Sequence, residues 1–141
     1  MRKETIFLFV FGIANLGLVL YGFLALLNPS VLLNSFSTYV FQFPEATKAA
    51  ESYLAALYRL LGFFNLLAGA IGLLLLWRYR IAKQLWVLRT VMVASLLAYL
   101  APVVFDNTVG HIGVFEVIEH ILFAAMILSG LSMASVWSKA E

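Results

Sequence analysis

The chain has 141 residues, of which 64% are hydrophobic and 11% charged, with a mean hydropathy of +1.01. Soluble domains are about half apolar and about a quarter charged, so this composition excludes a water-soluble core. A formal charge of +2 with no long basic run excludes a nucleic-acid platform, and the absence of cysteine excludes disulfides, thiolate metal centres, iron–sulfur clusters and thiol redox chemistry.

Four long apolar stretches take up most of the chain. Each approaches or exceeds the ~20 residues of a spanning helix and is too long for the ~10-residue strands of a membrane barrel. The expected fold is all-α: a four-helix transmembrane bundle forming a single integral membrane domain over residues 1–141.

The first stretch runs from about Ile6 to Leu27 behind the basic start Arg2-Lys3. It exceeds the ~7–15 residues of a signal-peptide core and reads as a retained helix. Asn28-Pro29 ends it, because proline disfavours helix in the residue before it. Ser30 to Phe43 is moderately apolar and aromatic, with Phe36, Tyr39, Phe41 and Phe43, and is expected to lie at the membrane interface.

Pro44 suits a first helical position, and Glu45 and Glu51 suit the early turns, where the helix dipole favours anions. The helical pattern continues to about Trp77, so the first two turns are expected to stand in water and the span to cover about residues 53–77. A short basic connection, Arg78 to Gln84, leads to a third stretch from about Leu85 to Phe105. Asp106, Asn107, Thr108 and Gly110 read as a polar turn, and the fourth stretch runs from about Val114 to Trp137.

Lysine and arginine set orientation. Arg2, Lys3, Arg78, Arg80, Lys83, Arg89 and Lys139 all fall at one end of the expected bundle, while the other two connections hold Lys48 alone. Both termini are therefore expected in the cytoplasm, with the protein in the cell inner membrane.

A few ionisable residues interrupt the apolar stretches at one shared depth. Arg59 lies about six residues, or ~9 Å, inside the second helix, and Glu119 and His120 lie equally deep in the fourth, just beyond Glu116. Polar groups in a bilayer are costly unless they face one another or a cavity. The acids are therefore expected to face Arg59 inside the bundle, and Arg59→Leu to disturb folding more than Lys48→Leu. Tyr58, Gly62, Asn65, Gly69 and Gly72 form a stripe on helix two, and Gly12, Asn15, Val19 and Gly22 one on helix one. These small-residue stripes are expected to pack together. Gly stripes also serve contacts between copies, so a homo-oligomer or a larger membrane complex stays among the expected partners.

The polar layer admits a structural ion pair, a ligand site, a metal or haem site, or an acid–base centre. Di-metal bundles use a Glu-x-x-His motif on each of two helices with further Glu from two others, whereas Glu116-x-x-Glu119-His120 occurs once here. No metal ligand or cofactor is assigned.

Tyr58-Arg59-Leu60-Leu61-Gly62, followed by Ala68-Gly69 and Gly72-Leu73, resembles the Arg-x-x-Gly…Gly pattern of the DoxX-like small four-helix bacterial membrane proteins. Some members of that group resemble subunits of quinone-linked oxidoreductases, so the resemblance implies an accessory or ligand-binding role and carries over no catalytic residue. The expected function is a non-enzymatic integral membrane protein. It binds a lipophilic ligand (a lipid, quinone or sterol) or serves as an accessory subunit, through an outer-leaflet site formed by Tyr58, Arg59, Asn65, Glu116, Glu119 and His120. The alternative is a membrane-embedded redox or acid–base enzyme, haem-, metal- or quinone-linked, using Glu116, Glu119 and His120.

Overall fold

The computed structural model describes residues 3–30, 44–109 and 113–137, with side chains described over 3–30, 50–108 and 113–137. Apart from Ser30, the interfacial segment expected over Ser30–Phe43 lies outside the described residues, as do the side chain of Lys48 and the residues Gly110, His111 and Ile112. The described residues form α1 (Lys3–Leu27), α2 (Pro44–Ala82), α3 (Leu85–Val109), α4 (Val114–Ser132) and a short α5 (Ala134–Trp137) that continues α4 past Met133. Four helical spans, Lys3–Leu27, Ala50–Ala82, Leu85–Thr108 and Val114–Trp137, are long and apolar enough to cross a membrane. The outside is greasy: Phe9, Leu20, Leu74, Trp77, Leu97, Leu128 and Leu131 are all exposed. Such a surface is penalised by water and covered at no cost by acyl chains.

Two helix ends differ from the sequence-based expectation. The second helix does not stop at Trp77. It carries on through Arg78-Tyr79-Arg80 to Ala82, since no glycine or proline interrupts it. It ends where Lys83 adopts a left-handed conformation (φ 54) and its N–H donates to the Tyr79 carbonyl at 2.8 Å. The third helix does not stop at Phe105, and Asp106, Asn107 and Thr108 are helical rather than a turn. The Asn107 amide and Thr108 hydroxyl donate back to the carbonyls of Val103 (2.7 Å) and Val104 (2.7 Å), so these two side chains bond to the helix that carries them.

The helices form a ring in which α1 packs on α2, α2 on α3, α3 on α4 and α4 on α1, with α2 and α4 at opposite corners. The α1–α2 seam is the closest of these contacts. At Gly22, an added Cβ would stand 2.6 Å from the Gly62 carbonyl oxygen and 2.6 Å from the Leu66 nitrogen. At Gly69 it would stand 2.5 Å from the Asn15 carbonyl oxygen, and at Gly72 it would overlap the Asn15 side-chain amide. The stripes therefore meet as expected, with the exception of Gly12, which has open space around it. Lipid tails are as apolar as leucine, so this approach is driven by dispersion and by the few polar groups it engages.

Asn15 is the chief of those groups. It is buried, and its Nδ2 donates to the Phe11 carbonyl (2.8 Å) and to Ser95 Oγ of α3 (2.9 Å), so both hydrogens are used and Oδ1 turns toward Gly72. Tyr99 Oη of α3 donates to the Ala14 carbonyl of α1 (2.8 Å). Two side-chain tethers thus join α3 to the same turn of α1.

At the end holding the first residues of α1, Lys83 pairs with Glu4 (3.0 Å), Lys3 Nζ donates to Ser135 Oγ (2.9 Å), and Arg89 donates to the Trp137 carbonyl (3.2 Å). Phe7 stacks on Phe11 and meets Trp137 edge-on, above a core of Leu88, Met126 and Met133. The start of α1, the α2–α3 connection and α5 therefore share one end of the bundle.

Two stability measurements follow from the seam. Gly72→Ala should lower the melting temperature of the detergent-solubilised protein, at the about 1–3 kcal/mol scale of core overpacking, while Gly12→Ala should melt like the parent; equal melting of the two would show that the seam is wrongly drawn. Ser95→Ala should cost about 0.6 kcal/mol, the mean for interhelical hydrogen bonds in membranes, and should lose that effect when combined with Asn15→Ala in a double-mutant cycle.

Candidate functional site

Away from the close α1–α2 seam, α1 meets α4 more loosely, and a cleft of about 250 Å³ opens between them with Tyr99 of α3 at its back. Gly17 lines it on the α1 side, where a Cβ would stand 3.1 Å from Tyr99 Oη, so the glycine makes room for the tyrosine hydroxyl. Tyr21 and Leu24 of α1 and Ile118, Glu119 and Leu122 of α4 form the walls. Leu20, Phe115 and Ile118 are exposed at its rim, so the mouth faces sideways, toward the hydrocarbon of a bilayer.

Glu119 is the charged residue of this lining. It sits about five residues, or ~8 Å, into α4. Among the described residues no hydrogen bond or ion pair engages its carboxyl group. An acid in the middle of a spanning helix costs about 2.5–3.5 kcal/mol on insertion scales, less nearer the interface. Glu119 meets that cost by facing the cleft rather than the packed helix seams.

His120, its neighbour, is engaged quite differently. Asn107 Nδ2 gives one hydrogen to the Val103 carbonyl and lies 2.8 Å from His120 Nε2, while His120 Nδ1 lies 2.6 Å from the Glu116 carbonyl. Since the amide nitrogen can only donate, Nε2 is the acceptor and Nδ1 carries the proton given to Glu116 O. Both ring nitrogens are thereby used: Nε2 ties the start of α4 to the end of α3, and Nδ1 bonds back within α4. Among the described residues no three His, Asp or Glu side chains converge as metal ligands.

The structure divides the residues expected to form one site. Glu119 lines the cleft; Glu116 and His120 stand beside it on α4, half-buried. Tyr58 is half-buried on α2, and Tyr21 lines the cleft beside Glu119. Asn65 is half-buried on the helix that forms the glycine seam. Arg59 is exposed, and among the described residues no ion pair joins it to Glu116 or Glu119. The expected meeting of guanidinium and acids is therefore corrected. Two causes act together: the glycine face of α2 is taken by α1 and Arg59 lies off it, and α4 occupies the opposite corner of the ring. The reason for expecting Arg59→Leu to be the more disruptive change falls with it.

Tyr21 and Tyr99 were not among the expected site residues, yet both line the cleft. A signal for them exists in the sequence. Tyr21 is six residues from the end of the first apolar stretch and Tyr99 six from the end of the third, which is the depth that singled out Arg59 and Glu119. Comparison of the chain with protein-family models, with curated proteins and with solved structures gives no match.

Proposed function

We propose that this is a non-enzymatic integral membrane protein that holds a lipophilic ligand (a lipid, quinone or sterol) in the α1–α4 cleft, on its own or as an accessory subunit of a larger membrane complex. The observation that carries this is the sideways opening of an apolar cleft with one polar acid in its wall. Ligand sites of this kind join an apolar lining to a small number of polar groups. At about 250 Å³ the cleft is smaller than the about 300–1,000 Å³ of an enclosed small-molecule pocket. It suits the head of an amphipathic molecule, with the remaining tail lying in the bilayer.

Orientation follows from charge. Lys3, Arg78, Arg80, Lys83 and Arg89 belong to the end that gathers the start of α1, the α2–α3 connection and α5. The excess of basic residues faces the cytoplasm in a cell inner membrane, so both termini are cytoplasmic and the cleft opens in the outer half of the bilayer. The layout resembling DoxX-like proteins agrees with an accessory or binding role.

Leu122→Trp should fill the cleft and remove a lipophilic adduct detected by native mass spectrometry of protein extracted in mild detergent. Leu128→Trp, on an exposed face outside the cleft, should retain that adduct. An adduct held equally by both variants would rule the cleft out as the binding site.

A further inference from the structure

We infer that the ligand of this cleft is a cationic amphiphile, an amine or quaternary ammonium carried on a hydrocarbon body, with Glu119 as its counter-charge. The assignment rests on the cleft being a lipophile site and names the chemistry of the head it accepts. Three observations lead to it.

Charge complementarity is the first. The described cations Lys3, Arg78, Arg80, Lys83 and Arg89 collect at the other end of the bundle, and Arg59 is exposed on the helix at the opposite corner from α4. At the cleft end the lining carries Glu119 and, among the described residues, no cationic side chain, with Glu116 one turn before it on α4. An anionic head is repelled from such a wall. A cation gains there, and it gains more than in water because the surrounding groups are apolar.

The helix dipole does not cancel this preference. The partial positive charge at the start of α4 acts within its first turn, where Glu116 lies. Glu119 lies beyond that turn and has no described donor of its own.

Aromatic rings supply the third observation. Tyr21, Tyr99 and Phe115 line the same cleft as Glu119. Ring faces attract cations, by about 0.5–1 kcal/mol when exposed and about 2 kcal/mol when desolvated. Aromatic rings with one acid are the chemistry that recognises an alkylated ammonium, whereas a neutral alcohol or carbonyl draws little from the rings.

The test uses the full chain in nanodiscs of zwitterionic lipid, which remove bulk charge attraction. A dodecyl chain ending in trimethylammonium and its neutral tert-butyl isostere are titrated calorimetrically below their aggregation limits. The cation should bind about tenfold more tightly than the isostere. Glu119→Gln should weaken the cation severalfold and leave the isostere unchanged. Tyr21→Leu should weaken the cation severalfold, and Tyr21→Phe should keep it. Equal affinity of the two probes for the parent protein, a comparison needing no variant, overturns the cationic assignment and leaves the lipophile site standing. Absence of binding by both probes, together with an adduct indifferent to Leu122→Trp, overturns the site and the assignment together.

Discussion

The near-contact of two backbones, α1 at Asn15, Val19 and Gly22 against α2 at Gly62, Gly69 and Gly72, governs the rest of the molecule. In a bilayer no hydrophobic force separates one apolar helix face from another, so the faces that lock are those able to come closest and satisfy polar groups. Once α1 and α2 are locked, the inward arc of α2 is used up. The buried amide of Asn15, held between Phe11 and Ser95, and the hydroxyl of Tyr99 on the Ala14 carbonyl then fix α3 against the same stretch of α1. The fourth helix inherits what is left: a place between α1 and α3, across the ring from α2.

That inheritance explains the cleft. The side of α1 that carries Gly17 and Tyr21 is not the side that meets the glycines of α2, and α4 offers it leucine, isoleucine and phenylalanine rather than small residues. Bulky residues keep two helices apart, while Gly17 lets the Tyr99 hydroxyl come close to α1 at the back of the gap. The same packing rule that closes the α1–α2 seam thus leaves the α1–α4 contact open, and the site is a consequence of unequal helix approach rather than of a dedicated loop.

Much of this was legible in the sequence. Hydropathy gave four spans, the Asn28-Pro29 and Pro44 signals marked two helix ends, and the glycine stripes named the seam. Glu119, singled out by its depth, does line the cleft, while Tyr21 and Tyr99, which line it too, were not singled out. What the sequence left undetermined was direction around the helix axis. Arg59 and Glu119 were expected at one depth, but a single helix pattern does not say which neighbour each face meets; that depends on the order of helices in the ring. The helical persistence of Arg78–Ala82 and of Asp106–Thr108 was also hidden, because polar residues signal a turn; at Asn107 and Thr108 the side chains bond back to their own helix instead.

That last departure matters for the site. Had α3 ended at Phe105, Asn107 would not stand on a helix beside α4, and His120 would lack its partner at 2.8 Å. With the tether in place, the first turns of α4 are held to α3 on the His120 side. Successive residues of a helix point about 100° apart, so Glu119 is turned away from that junction and toward α1, into the cleft. Two adjacent polar residues at the same depth therefore have separate duties. His120 ties α4 to α3 through Nε2 while its Nδ1 bonds back to Glu116, and Glu119 is left facing the gap between α1 and α4.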